Sequence, residues 1–110
     1  MNRDIEILNT VEAIFRKPKL YTPNGTLNEI VSYLLGYRQA NALEWQVGNH
    51  KNDSVFLALE WLLEEMEIQT SIFLLDPASF TYALTEHFED NEEISIFLGK
   101  KINDAKKKSV

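Results

Sequence analysis

Apolar side chains recur every three or four residues along most of this chain, a spacing that leaves room for little except amphipathic helices. Leu8, Val11 and Phe15 mark the first stripe, widened by Ile7 and Ile14. It predicts a helix from about Asp4 to Arg16, stopped by Pro18, because proline disfavours helical backbone in the residue before it. Pro23-Asn24-Gly25 reads as a turn, since Gly and Asn reach positive φ cheaply. Thr26-Leu27-Asn28-Glu29 has the spacing of a capping box, in which hydroxyl and carboxylate each accept from the other residue's amide. The helix that follows places Leu27, Ile30, Val31, Leu34 and Leu35 on one side and extends toward Trp45, with a break at Val47-Gly48-Asn49-His50. Gly36 lies inside it at a cost of about 1 kcal/mol relative to alanine, which predicts that another backbone packs closely there.

Asn52, Asp53 and Ser54 offer N-caps for a third helix. Its stripe of Val55, Leu59, Leu62 and Met66, widened by Phe56, Ala58 and Leu63, suits a central position. Residues 68–75 are too short a run for periodicity to separate strand from helix; with no partner strand elsewhere, helix or irregular chain is favoured. Asp76-Pro77 has the form of a helix start, with Phe80, Leu84 and Phe88 on the buried edge and Tyr82 and Ala83 nearby. Asp90 and Glu93 are spaced as a second capping box, and Ile94, Phe97, Leu98 and Ile102 should face the core. Lysines gather toward the end of that helix, where cations complement the dipole, and residues 104–110 are expected to fray. The expectation is an all-α single domain over residues 1–110, a compact bundle of about five to six short helices.

Several classes are disfavoured early. No apolar run approaches the roughly 18 residues that span a bilayer. Met1-Asn2-Arg3-Asp4 lacks the basic flank and apolar core of a signal peptide. There is no cysteine among the 110 residues, so disulfides and thiolate metal sites are out of reach. A cytoplasmic location fits these features.

Charge is distributed unevenly. Residues 1–51 carry six basic and five acidic side chains, residues 52–99 carry eleven acidic side chains and no Lys or Arg, and residues 100–110 carry five Lys and one Asp. An uncompensated anionic block repels nucleic acid, whose phosphates need Lys and Arg, and steers a basic protein toward itself. A solubilising, solvated face is the competing account.

Residues suited to catalysis are sparse. His50 sits in a polar loop and His87 on a helix beside Glu86 and Phe88, and neither has the spacing of a zinc site. No glycine-rich phosphate loop, no Gly-x-Ser-x-Gly elbow and no calcium loop occurs. Glu64-Glu65, Glu92-Glu93 and the Glu60/Glu64 pair lie on polar helix sides rather than in an apolar cleft that would raise a pKa. The chain therefore reads as a non-enzyme with no cofactor or metal. Trp61, off the Leu59/Leu62 stripe and next to Glu60, is a candidate interface residue, although a half-buried packing role is the favoured account. Tyr21 and Tyr37 read as packing residues.

Residues 16–40 carry a recognisable pattern: Arg16-Lys17-Pro18-Lys19-Leu20-Tyr21, then Thr26-Leu27, then Tyr33-Leu34-Leu35-Gly36-Tyr37 and Ala40. It resembles the Arg/Lys-Pro-x-Met-Tyr, Ser/Thr-Leu and Phe/Tyr-Leu-x-Gly-Tyr run of CdiI-type immunity proteins from contact-dependent growth inhibition systems. Leu20 stands where Met is usual and Thr26 where Ser is common, swaps that keep an apolar plug and a capping hydroxyl. The pattern covers about a quarter of the chain, and its residues look structural. The resemblance implies a cytoplasmic protein that binds and blocks a cognate CdiA C-terminal toxin domain, many of which are tRNA- or other RNA-cleaving nucleases with basic clefts. It also admits a ternary complex with elongation factor Tu. Combined with the charge pattern, the expected contact residues are Asp53, Glu60, Trp61, Glu64, Glu65 and Glu67, followed by Glu86, Glu89, Asp90 and Glu93. The alternative is a regulatory or adaptor module that binds a basic host protein.

Overall fold

The computed structural model describes residues 3–45, 54–68 and 76–108. Among them the regular structure is helical throughout: α1 (Arg3–Arg16), a 3-10 turn (Pro18–Leu20), α2 (Leu27–Trp45), α3 (Ser54–Glu65), α4 (Pro77–His87) and α5 (Asn91–Lys108). The apolar stripes converge on one core. Val11, Ile14 and Phe15 of α1, Ile30 and Leu34 of α2, Leu59 and Leu62 of α3, Phe80 and Leu84 of α4, and Ile94 and Leu98 of α5 are all buried in it. α1 lies most extensively along α5 and next against α3, while α2 covers α4. α3 touches α1, α2 and α5, the central position its sequence predicts. The Cα radius of gyration, 13.4 Å, matches the roughly 13 Å of a compact unit this long. The chain is thus an all-α bundle, as its periodicity requires.

A polar contact fixes how α1 and α5 meet. The Ser95 hydroxyl, 5% exposed, donates to Glu12 Oε2, and the same oxygen accepts from Arg16 Nε at 2.9 Å. A carboxylate partly withdrawn from water is tolerated where charged and hydroxyl donors satisfy it.

Helix starts follow local chemistry. Glu29 N donates to Thr26 Oγ1 at 3.3 Å, and Thr26 N donates back to Glu29 Oε1 at 3.0 Å, closing the capping box. Asn24 adds its backbone and side-chain N–H groups to the same carboxylate. Asp76 caps α4, accepting from the Ser79 hydroxyl and amide, and Asp90 caps α5 by accepting from Glu93 N at 2.9 Å. The Thr26 amide, chief among its donors, holds the Glu29 carboxyl below its ordinary pKa. The Ser79 hydroxyl does the same for Asp76. A carboxyl with a lowered pKa in the folded state stabilises the fold above its unfolded pKa and loses that contribution as pH falls through the folded value. Thermal stability should therefore fall as pH drops below the ordinary carboxylate range, about 4. Glu29→Gln combined with Asp76→Asn should flatten that acid limb in melting curves. A limb of unchanged steepness would show that these caps do not couple to folding.

The end of α3 departs from common chemistry. Ile68 N donates to Leu63 O at 2.9 Å and Glu67 N to Glu64 O at 3.0 Å, the two bonds of a Schellman motif. The residue in the left-handed conformation is Glu67, with φ of 58°, where glycine is usual. Ile68 then packs against the core.

Two expectations are corrected. A Cβ built on Gly36 would meet nothing within 4 Å among the described residues, so none of their backbone packs closely there; Gly36 itself is exposed, between Leu35 and Tyr37 that lean on the core. Gly36→Ala should raise stability by about 0.5–1 kcal/mol by removing backbone entropy from the unfolded chain, visible as a higher melting temperature. Leu20 is no internal plug, being 75% exposed, because the 3-10 turn buries none of its residues. α5 is helical through Lys108, with Lys106, Lys107 and Lys108 at its negative dipole end. The caps proposed at Asn52 and Asp53, the break at 47–50, and all but Ile68 of the 68–75 segment lie outside the described residues.

Candidate protein-binding face

α4 shows two sides. Phe80 and Leu84 face the core. Ala78, Tyr82 and Glu86, four residues apart and turned away from that edge, line a groove together with Ser79, Ala83 and His87. Its other wall is the end of α3, Met66 and Ile68, and the groove holds about 580 Å³. The floor is apolar, and Tyr82 is 66% exposed beside it.

The rim is acidic. Glu86 lines the groove directly. Glu65 reaches across from α3, its Oε2 lying 3.3 Å from His87 Nε2, and the His87 ring meets Phe88 edge-on at 4.9 Å. Glu65 and Glu67 flank Met66 in the chain, with Glu64 one residue further back, all three exposed. Among the described residues, the carboxylates in contact with a basic side chain are Glu12, with Arg16, and Glu65, with the His87 ring; no Lys or Arg neutralises Glu60, Glu64, Glu67 or Glu86. α3 carries no basic residue in its last turn, so Glu64 and Glu65 sit at the negative end of its dipole, a placement that costs stability.

The anticipated contact residues separate into groups. Glu65 and Glu86 come together at the groove, Glu86 in its lining and Glu65 against His87, whereas Glu64 and Glu67 are exposed nearby in the chain but outside the lining. Glu60 lies one turn earlier on α3, half-buried. Trp61 is half-buried and packs against the core, which gives it a structural role. Glu89, Asp90 and Glu93 occupy the corner between α4 and α5 rather than the groove lining, and Asp90 is engaged in capping. Asp53 lies outside the described residues. Tyr82, Met66, Ile68 and Ala78 were missed as site residues. A helical wheel of α4 carried the signal for two of them, since Ala78 and Tyr82 lie well off the Phe80/Leu84/Phe88 edge.

Glu67 offers a direct test of the strain here. A non-glycine residue in left-handed backbone costs roughly 1–2 kcal/mol. Glu67→Gly relieves that and removes an anion from the helix end, at some entropic cost in the unfolded chain. The net expectation is a gain of about 1 kcal/mol in denaturant unfolding. A loss would mean that the Glu67 side chain holds the turn.

The Glu29 and Asp76 carboxyls are both pulled down by capping bonds, opposite to the direction a general acid needs. Among the described residues no group of His, Asp and Glu is placed to hold a metal ion, and no helix is long and apolar enough to cross a membrane.

The fold and the groove together define an all-α bundle with an acid-rimmed, apolar-floored surface cleft. Set against known proteins, the chain matches no family model, no curated sequence and no solved structure.

Proposed function

We propose that this chain is a CdiI-type immunity protein that acts in the cytoplasm by binding a cognate CdiA C-terminal toxin domain, a tRNA- or other RNA-cleaving nuclease, and masking its basic cleft. The observation that carries the reading is the pair of carboxylates at the apolar groove, Glu86 in its lining and Glu65 against His87, unneutralised by Lys or Arg among the described residues, with Glu64 and Glu67 exposed nearby in the chain. A surface that binds RNA presents cations to phosphates; an inhibitor of that surface must present anions in their place, and an apolar floor adds desolvated contact that phosphate lacks. Rim charges of this kind accelerate encounter and select against wrong partners. The pattern at residues 16–40 supplies the family expectation, including assembly with elongation factor Tu.

The test is neutralisation. The nuclease domain encoded beside this chain is expressed with and without it, and RNA cleavage in vitro and growth of the producing cell are followed. Stoichiometric inhibition and a stable complex on gel filtration are expected. Undiminished RNA cleavage in the presence of excess chain would end the proposal.

A further inference from the structure

Two features of this molecule lack a partner among its described residues, and each has the polarity and charge sign the other needs. The first is the α1–α2 connection. Thr22 is buried, and its hydroxyl donates to Pro18 O at 3.0 Å and accepts from Gly25 N at 3.0 Å. Leu20 N donates to Lys17 O at 3.1 Å, and Glu29 gathers the Asn24 and Thr26 amides. Gly25 adopts φ of 72°, and a Cβ there would sit 3.1 Å from the Lys19 side chain. The connection is thus held by its own hydrogen bonds, yet at its tip Leu20 is 75% exposed. Lys17 and Lys19 beside it are exposed and, among the described residues, without acidic partners. An apolar side chain on a preordered tip loses little entropy when it binds.

The second feature is the groove between α4 and the end of α3. It offers an apolar wall at Met66 and Ile68, with Glu86 in its lining and Glu65 held against His87 at its edge. A leucine preceded by two lysines complements it in polarity and in charge sign.

We infer that the Leu20 tip of one copy of this chain docks into the groove of a second copy, with Lys17 and Lys19 meeting the acidic rim. The two patches differ, so the contact is head-to-tail and a pair of copies keeps one tip and one groove free. A contact this small belongs to the weak, transient class. The chain's net charge of −6 opposes it until salt screens the long-range repulsion. The groove so filled is closed to other proteins, so self-association and occupation of the groove by another partner exclude each other. The inference stands independently of any toxin.

Sedimentation of the full chain at rising concentration in about 0.15 M salt, where charges are screened beyond about 8 Å, tests it. The wild type should show a mass that climbs with concentration. Leu20→Ser, which leaves charge unchanged, and Ala83→Trp, which fills the groove from the exposed side of α4, should each stay monomeric, with circular dichroism confirming the fold. Mixed together, the two variants should form a dimer and nothing larger, because the tip of the groove-filled copy still fits the groove of the tip-less copy. Lys17→Glu with Lys19→Glu should also lose association, whereas Lys100→Glu with Lys107→Glu, which changes net charge equally, should retain it. A wild type that stays monomeric at millimolar concentration, a Leu20→Ser variant that associates as the wild type does, or a mixture without heterodimer would each overturn the inference.

Discussion

Phe15→Ala is expected to remove about 3–5 kcal/mol of folding stability, the range for deleting a fully buried phenyl ring and leaving a cavity. Phe15 is 0% exposed on α1, the helix that packs along α5 and against α3, so the surrounding helices must shift together to close the void. Domains of this size hold only about 5–15 kcal/mol in total. Unfolding entropy for a chain this long gives roughly 4 °C per kcal/mol, so the midpoint should drop by roughly 12–20 °C. Leu20→Ala supplies the contrast. It removes as apolar a side chain from an exposed tip, and should move stability by less than about 0.5 kcal/mol. Chemical denaturation of both variants checks the pair. A Phe15→Ala loss below about 1 kcal/mol would mean that the core collapses around the gap, unlike the close-packed interiors that such estimates assume.

Much of this core was legible in the residue order, because helical period alone decides which side chains share a face. Val11, Phe15, Leu34, Leu59, Leu62, Leu84 and Leu98 fall where their stripes put them. The caps at Thr26–Glu29, Asp76–Ser79 and Asp90–Glu93 were legible for a similar reason, since each is complete within four residues. What escaped was decided by distant segments or by backbone conformation. The Ser95–Glu12 contact joins residues 83 apart in sequence, so neither residue announces the other. Gly36 reads as a packing glycine, and only the placement of the other helices shows open space beside it. The Schellman end of α3 lacks its usual glycine, so Glu67 gives no local sign of its left-handed backbone. For the candidate face, the uncompensated anionic block was readable from composition by position. The groove was not, because Met66 completes an apolar stripe in sequence but ends half-buried beyond the last turn of α3.

Reversing charge at the groove rim should separate binding from folding. Glu64→Lys combined with Glu65→Lys replaces two anions by two cations in the last turn of α3, the negative end of its dipole. Each replacement there favours the helix, typically by about 0.3–1 kcal/mol at low salt. The double variant also gives up the Glu65–His87 ion pair, which is solvent-exposed, with side chains 45% and 39% accessible, and such pairs contribute about 0–1 kcal/mol. Stability should therefore hold or rise. Association with a basic nuclease domain should instead slow by about tenfold to a hundredfold at low ionic strength, the range that electrostatic steering supplies. The deficit should narrow as salt shortens the screening length. Stopped-flow association at several salt concentrations, read beside melting curves, distinguishes the outcomes. If the acidic rim were only a solubilising coat, the variant would bind at the wild-type rate. If the carboxylates were needed for the fold, it would melt earlier. A slower-binding variant that melts no earlier fits only a rim whose anions are held, against the preference of their own helix, for a cationic partner.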